Sequence, residues 1–389
     1  MVAGIVPPST KATPSPSDLA AAGPTPAPTA TDLATPTDSP TPAPTPTETP
    51  AATVVSAGTM HFARAHATAT TLNDGRVLIA GGWVTENKVT NTAEIYDPVA
   101  GTFTTTGSMH SPRAWHDATL LTDGRVLITG GSDGQYRVAT AEIYTPSTGR
   151  FTVTGSLAAS RIQHTATLLK DGRVLVAGGY NSGSRVATAE LWNPKTGKFA
   201  KTGSMSIGRE GSVAALLADG RVLVVGGDDK DKALASAEIY DPTTGKWTKT
   251  GSMTEARQYF AGVSLNDGRF LVAGGETGAF VALDSAEIYD PTTGAFTATG
   301  LLNTARAFTS AALLPNGTVL VAGGDTGDAV LDSSEVYDPI SGTFGPGTSL
   351  ISAREGGTTA VLSDGRVLVV GGWPSGNAPL DSVEIYSQS

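Results

Sequence analysis

The sequence contains no cysteine. The chain therefore has no disulfide, no thiolate metal ligand, no cysteine nucleophile and no cysteine that could carry a lipid. Charged residues make up only 16% of the chain, and 36 acidic residues outnumber 26 basic ones, which gives a formal net charge of -10. Because proteins bind nucleic acid through clustered Lys and Arg that neutralise phosphates, no nucleic-acid partner is expected.

The sequence also lacks an apolar stretch long enough to cross a bilayer, and no segment has a convincing helical pattern. Residues 2–6 are too short an apolar stretch, and lack a basic start, to predict a secretion signal. No nucleophile motif, phosphate-binding glycine loop or metalloprotease signature occurs. We therefore predict no membrane span, no cofactor and no catalytic residue.

Residues 1–51 differ in composition from the rest of the chain. This segment holds 13 of the 24 prolines, interleaved with Thr, Ser and Ala. Such a composition cannot bury enough apolar surface to offset its ordering entropy, so we predict a disordered, extended tether. Pro/Thr-rich tethers resemble the stalks of exported and surface proteins, which predicts an extracytoplasmic location, either secreted or tethered to a cell surface. The alternative is a plain linker to another segment.

The rest of the chain is a repeat marked by a glycine pair after a short apolar run, as in Val77-Leu78-Ile79-Ala80-Gly81-Gly82. A period of 48 or 49 residues indicates a propeller, a solenoid or an array. The seven pairs begin at Gly81, Gly130, Gly178, Gly226, Gly274, Gly323 and Gly371.

Each repeat predicts four short strands. In the first repeat these strands cover residues 66–72, 77–80, 93–96 and 103–105. Asp74-Gly75 predicts a two-residue type I′ hairpin between the first two strands. Asp97-Pro98 begins a second tight turn, between the third and fourth strands. Asn316-Gly317 replaces Asp-Gly in one repeat, which indicates that these Asp residues form turns and are not catalytic.

Aromatic residues recur in register on the third and fourth strands, as Tyr96 and Phe103 do, and are predicted to be core. A glycine pair after an apolar strand, followed by two spaced aromatics, resembles the kelch repeat. The resemblance implies that residues 52–389 form an all-β, seven-bladed β-propeller of four-stranded antiparallel blades. The seventh repeat lacks a fourth strand, whereas Thr53–Met60 aligns with Thr102–Met109. We therefore predict that the N-terminal strand closes the last blade.

Two charged residues recur in every repeat. A set of seven cannot form one active site, so we predict seven structural Arg–Glu pairs, because buried charges need partners. The arginines are Arg64, Arg113, Arg161, Arg209, Arg257, Arg306 and Arg354, and the glutamates are Glu94, Glu142, Glu190, Glu238, Glu287, Glu335 and Glu384.

Function is expected where the repeats differ, in the loops after the glycine pairs and before each first strand, which antiparallel strands bring to one face. In a closed ring, tryptophan and tyrosine residues would lie on one arc of this face and acidic residues on the opposite arc. Aromatics beside hydrogen-bonding groups favour a glycan or a protein partner, although such rings can also simply pack under loops. The candidate ligand-binding residues are Trp83, Trp115, Tyr180, Trp373, His66, His116, His164, Asp228, Glu276 and Asp325.

The histidines are concentrated on the same predicted face. All five histidines fall in the first three repeats, and converging imidazoles can bind a metal or act as acid and base. No His-x-x-x-His pair and no EF-hand-like calcium loop is present, so no metal site is predicted.

The resemblance leaves several functions open, because fold alone does not determine function. Kelch propellers include a copper oxidase of sugars whose radical cofactor needs a cysteine, which this chain lacks. Others act on sialic acids or bind proteins. We favour a non-catalytic module that binds a glycan or a protein through the variable loops. The alternative is a carbohydrate-active enzyme using His116, His164, Glu210 and Glu355, and a structural spacer is a third possibility.

Overall fold

The computed structural model describes residues 52–230, 232–376 and 378–388, and the regular elements of this part of the chain are all β-strands. Seven sheets have four antiparallel strands each, which confirms the all-β, seven-bladed propeller. Two further hairpins lie in loops, Trp83–Thr85 with Lys88–Val89 and Asp228–Asp229 with Lys232–Ala233. No helix in these ranges has the length and hydropathy needed to cross a membrane. The predicted tether, residues 1–51, lies outside the described residues.

Within a blade, the four strands lie one after another from the propeller axis to the outside. The first strands of neighbouring blades lie side by side around the axis. The innermost strands are Thr68–Thr71, Asp117–Leu120, Thr165–Leu168, Val213–Leu216, Ala261–Ser264, Ser310–Leu313 and Thr358–Val361. The second strands are Val77–Ala80, Val126–Thr129, Val174–Ala177, Val222–Val225, Phe270–Ala273, Val319–Ala322 and Val367–Val370. The third strands are Ala93–Asp97, Thr140–Thr145, Ala189–Asn193, Ala237–Asp241, Ala286–Asp290, Ser334–Asp338 and Ser382–Ser387. The outermost strands are Thr102–Thr105, Arg150–Ser156, Lys198–Lys201, Lys246–Lys249, Ala295–Ala298, Thr343–Pro346 and, for blade 7, Thr53–Thr59.

The core lies between blades. Every residue of the second strands is buried, because each sheet is covered on both faces by its neighbours, and this explains the continuous apolar runs. Seven apolar clusters each join adjacent blades. The recurrent aromatics pack in these clusters, as in the pair Tyr96 and Phe103, whose ring centroids are 4.8 Å apart. Their assignment to the core is confirmed.

The N-terminal strand completes blade 7, as predicted. Thr53–Thr59 pairs antiparallel with Ser382–Ser387, with a bulge between Ser56 and Gly58. Apolar residues of blade 7, among them Leu368, pack against Val77 of blade 1 in one cluster. The first and last parts of the propeller are therefore joined by a shared sheet and a shared core.

The Asp-Gly turns are three-residue loops, so the prediction of two-residue type I′ hairpins is wrong. Gly75 N donates to Leu72 O at 2.9 Å, and only the glycine of the dipeptide has a positive φ, of 84°. The Asp74 carboxylate accepts a hydrogen bond from Arg76 N at 3.1 Å and pairs with its guanidinium. With this local bond, the Asp74 backbone keeps a negative φ, and the left-handed glycine reverses the direction of the chain.

The predicted Arg–Glu pairs are confirmed in all seven blades, within the blade in each case. Six pairs have N–O distances of 2.7–3.3 Å, and Arg354 bonds Glu384 in the seventh. In blade 1, Arg64 also donates to Gly81 O at 2.8 Å, and Glu94 accepts from His61 N at 2.7 Å. Each pair therefore ties the end of the second strand to the third strand and to the connector from the preceding blade.

The backbone beside each arginine joins neighbouring blades. The second glycine of each pair donates to the carbonyl of the next blade's arginine at 2.7–2.9 Å, as Gly82 N does to Arg113 O. The first glycine has no room for a side chain, because a Cβ on Gly81 would lie 2.3 Å from Arg113 O. This close approach is the reason that both positions require glycine.

Seven residues, each two positions after a buried arginine, form a closed ring of backbone hydrogen bonds around the axis, which we call the mouth ring. Each N–H donates to the carbonyl of the equivalent residue in the preceding blade at 2.9–3.2 Å. All seven adopt left-handed conformations, with φ of 49–60°. The predicted first strand of blade 1 therefore begins at Thr68 and not at His66. The mouth ring consists of His66, Trp115, Gln163, Gly211, Tyr259, Phe308 and Gly356.

We predict that Arg257→Met will lower the free energy of unfolding by about 3–5 kcal/mol, because it leaves the Glu287 carboxylate buried without its guanidinium. Arg269→Met in the same blade is the matched control. It removes the half-exposed pair with Asp267 and is expected to cost less than about 1 kcal/mol. Urea denaturation measures both, and equal losses would contradict a structural role specific to the buried pair.

We also predict that Gly356→Ala will be more destabilising than Gly101→Ala. Both glycines have φ near 60°, at 55° and 66°, so both substitutions carry backbone strain of about 1 kcal/mol. A Cβ on Gly356 would lie 2.3 Å from the His66 ring, whereas nothing lies within 4 Å of one on Gly101. The clash should add about 1–3 kcal/mol and perturb Trp fluorescence, since His66 contacts Trp115. Equal melting temperatures would show that the His66 ring is free to move away.

Candidate functional site

The two faces of the propeller differ in how strictly they repeat. The Asp-Gly and Asp-Pro turns form one face, and cavities of about 360 and 340 Å³ lie between them. Both are lined by the same motif residues, such as Asp171 and Arg173 in one and Asp74 and Arg76 in the other. A cavity that the repeat reproduces belongs to the scaffold. The variable loops form the opposite face, where the cavities have unlike linings.

Several mouth-ring side chains pack against the preceding member of the ring. Trp115 contacts His66 with ring centroids 5.2 Å apart, and Phe308 stacks on Tyr259 at 4.5 Å and 21°. Where the preceding member is glycine, the ring lies over it, as His66 does over Gly356. Tyr259 does the same over Gly211, and its hydroxyl donates to Gln163 Oε1 at 3.3 Å. Together these side chains form an aromatic floor at the mouth of the channel.

Three adjoining cavities surround this floor, and we name them the inner, central and acidic cavities. The inner cavity, about 270 Å³, lies toward the channel and is lined by His116 and Thr358 as well as floor residues. The central cavity, about 430 Å³, and the acidic cavity, about 210 Å³, share Phe308 and Glu355. The central cavity is lined by His66, Glu86, Trp115, Phe308, Glu355, Trp373, Pro374 and Gly376.

The acidic cavity brings together three carboxylates from blades 5, 6 and 7, namely Glu276, Asp325 and Glu355, beside Phe280 and Phe308. Burial raises the pKa of Glu355, and the charges of Asp325 and Glu276 raise it further. Burial likewise raises the pKa of Glu276, against a hydrogen bond from Gln258 at 3.0 Å. Within the described residues no Lys, Arg or His forms an ion pair with any of the three.

The residues of the predicted acidic arc are not equivalent, because Asp228 has a cationic partner and the three carboxylates of the acidic cavity have none among the described residues. Arg185 pairs with Asp228 and also with Glu210, at 2.7 Å from Nη2 to Oε1. Tyr180, expected on the aromatic arc, lies beside this group, and the guanidinium carbons of Arg137 and Arg185 are each 5.0 Å from its ring centroid. Tyr180 and Asp228 thus belong to a compensated network at blades 2–4.

The histidines occupy three different environments. His116 and His164 are buried between blades, where their Nε2 atoms lie 3.0 Å from Thr68 Oγ1 and 2.9 Å from Thr129 Oγ1. Burial lowers the pKa of His116 to about 3 and that of His164 well below its ordinary value. His66 lies in the floor, where burial lowers its pKa to about 4. His61 and His110 are exposed at the Arg–Glu pairs, with their Nδ1 atoms 2.8 Å from Glu94 and Glu142 respectively.

The structure brings part of the candidate set together. Trp115, Trp373, His66, Glu276 and Asp325 line the central and acidic cavities, and His116 lines the inner one. Trp83 supports the floor from one side, since its ring meets Trp115 edge-on at 5.3 Å. Four lining aromatics lay outside the predicted set. These are Tyr259, Phe260, Phe308 and Phe280.

A sequence signal for two of these residues exists. Tyr259 and Phe308 stand two positions after an invariable arginine, as His66 and Trp115 do. The sequence could not show that this position turns left-handed and directs side chains over the channel. Bulky residues in this conformation are uncommon, and strained backbone of this kind clusters at functional sites.

Comparisons with known proteins agree with this architecture. The model of the kelch motif matches residues 63–110, 164–206 and 212–254. No curated protein matches the sequence of the chain. Among solved structures, a novel fungal alcohol oxidase with catalytic diversity among the AA5 family, in complex with copper, is similar with a TM-score of 0.71 at 19% identity, over 86% of this chain and 76% of that one. At that identity the likeness concerns the fold. The chain is a seven-bladed β-propeller, and three stretches of its repeats match the kelch motif.

Proposed function

We propose that this chain is a non-catalytic module that binds a carbohydrate at the mouth of the propeller. The observation that carries the proposal is the aromatic floor beside open carboxylates in the central cavity. Sugar rings present apolar C–H faces and hydroxyls, which suit stacking on aromatic rings and hydrogen bonding to carboxylates. Five of the seven mouth-ring residues carry a side chain in a strained conformation, and function is one reason for such strain to be retained.

The size of the site favours a compact ligand over a broad protein surface. The central cavity measures about 430 Å³, within the range of about 300–1,000 Å³ that is typical of small-ligand sites. Protein interfaces usually bury about 800 Å² on each partner and depend on large central anchors. A protein partner is therefore the less favoured ligand class. We extend the proposal to an extracytoplasmic protein in which residues 1–51 act as a tether, on the composition of that segment alone.

Copper chemistry is not part of the proposal. The fungal neighbour is described in complex with copper, but the donor set of this chain does not fit such a centre. The chain has no cysteine, and the Nε2 atoms of His116 and His164 are engaged with threonine hydroxyls. In the ranges that the structure describes, no three His, Cys, Asp or Glu side chains converge as metal ligands.

We predict that Trp115→Ala and Trp373→Ala will each weaken binding to the best glycan from an array by about tenfold or more, because each removes an aromatic surface from the central cavity. Tyr136→Ala is the control, since Tyr136 is 63% exposed and lies outside the cavity linings. Calorimetric titration measures the affinities. Unchanged affinity in both Trp variants, or no glycan bound by the wild type, would contradict the proposal.

A second candidate function is an enzyme that acts on a carbohydrate at the same site. It is favoured by Glu355, because a cavity carboxyl whose pKa is raised by burial and by neighbouring carboxylates is suited to donate a proton. If the glycans that bind are also cleaved, Glu355→Gln should slow the release of reducing ends by about 100-fold or more. Asp328→Asn should retain the wild-type rate. Cleavage by Glu355→Gln at that rate would exclude Glu355 as the acid.

A further inference from the structure

We infer that the acidic cavity binds a protonated amine, so that the carbohydrate recognised at the mouth carries free amino groups. This inference rests on the proposed carbohydrate-binding function and names the chemical class of its ligand. It concerns Glu276, Asp325 and Glu355, the three carboxylates that line this cavity.

The first observation is a carboxylate that is nearly buried and incompletely paired. Glu276 is only 6% exposed, and Gln258 donates to its Oε1 at 3.0 Å. Among the described residues no donor reaches its Oε2, and the side chain lines the acidic cavity. A nearly buried carboxylate with one neutral donor and no cation is incompletely compensated, so a ligand that supplies a further donor and a positive charge would be bound favourably.

The second observation is that the neighbouring carboxylates increase this cost. The charges of Asp325 and Glu276 raise the pKa of Glu355, and that of Asp325 raises the pKa of Glu276, in each case in addition to burial. No neutralising side chain is present among the described residues lining the cavity. A cation bound in this cavity would weaken the repulsion between the carboxylates that line it, whereas a neutral hydroxyl would not.

The third observation is that the remaining walls suit an organic cation. Phe280 and Phe308 line the same cavity, and Phe280 is 74% exposed at the tip of its loop. Aromatic faces attract ammonium groups, most strongly where water is excluded. An ammonium group combines a positive charge with three hydrogen-bond donors, which suits a cavity lined by carboxylates.

The acidic group on the other side of the mouth provides an internal contrast. Glu210 and Asp228 also lie close together after an arginine and a glycine pair, but there the chain supplies its own cation, Arg185. Blades 5–7 have the carboxylates without the cation. Because the acidic cavity shares Phe308 and Glu355 with the central cavity, a ligand stacked in the central cavity can extend its amine into the acidic one.

The test compares two tetrasaccharides that differ only in the amine, a fully deacetylated β-1,4-linked glucosamine tetramer and its fully N-acetylated form. The full chain is titrated with each by calorimetry at about pH 6, where amines are protonated. We expect the deacetylated tetramer to bind about tenfold or more tightly. Glu276→Gln and Asp325→Asn should each reduce this preference by about tenfold, because each removes one charge from a charge-assisted contact.

Asp328→Asn is the matched control, because it removes an exposed acidic residue from the same loop as Asp325 outside the cavity lining, and it should keep the preference. Equal or tighter binding of the N-acetylated tetramer by the wild type would overturn the amine inference and leave the carbohydrate proposal standing. An unchanged preference in both cavity variants would also overturn it. If neither tetramer binds but a lysine-rich peptide does, with loss in Glu276→Gln, both the inference and the carbohydrate proposal fail in favour of a protein ligand.

Discussion

The buried Arg–Glu pair is the interaction on which the rest of this propeller depends. A guanidinium excluded from water needs acceptors, and in blade 1 the two terminal nitrogens of Arg64 find them at Gly81 O, at Thr92 O just before the third strand and at Glu94. The carboxylate in turn accepts a backbone N–H from the connector. One pair therefore fixes the relative positions of three chain segments, and its repetition in seven blades makes the geometry of every blade the same.

The backbone of the two residues that follow each arginine is held in the same position in every blade. The next residue forms a two-way backbone bridge with the residue after the glycine pair, as Ala65 does with Trp83. The residue after that turns left-handed and bonds to the preceding blade in the mouth ring. Backbone groups make all of these bonds, so side chains at both positions are free to differ between blades. The backbone is therefore the same in every blade at the positions where the side chains differ. As a result, one repeated scaffold places aromatic, acidic and glycine residues around a single opening.

The distribution of charge distinguishes the acidic residues on the two sides of the mouth. Asp228 and Glu210 are compensated by Arg185, and the ring of Tyr180 lies beside two guanidinium groups. Glu276, Asp325 and Glu355 have no such partner among the described residues and line a cavity with two phenylalanines. The asymmetry of charge at the mouth thus comes from where the chain places its few variable cations, since both sides share the repeated geometry of the blades.

The sequence by itself determined the number of blades, their strand order, the closure by Thr53–Thr59 and the Arg–Glu pairs, because each follows from a pattern repeated seven times in register. It also indicated the variable-loop face and several residues of the site. Only the tertiary structure decided which of these residues meet. Trp115, Phe308 and Glu355 stand in different repeats, and they share a cavity because the left-handed mouth ring turns their blades' side chains toward one axis. The left-handed position recurs in every repeat but holds residues of different types, and contacts between distant repeats leave no periodic signal. The same sequence pattern is therefore compatible with carboxylates that lack a cation at Glu276 and with a neutralised one at Asp228.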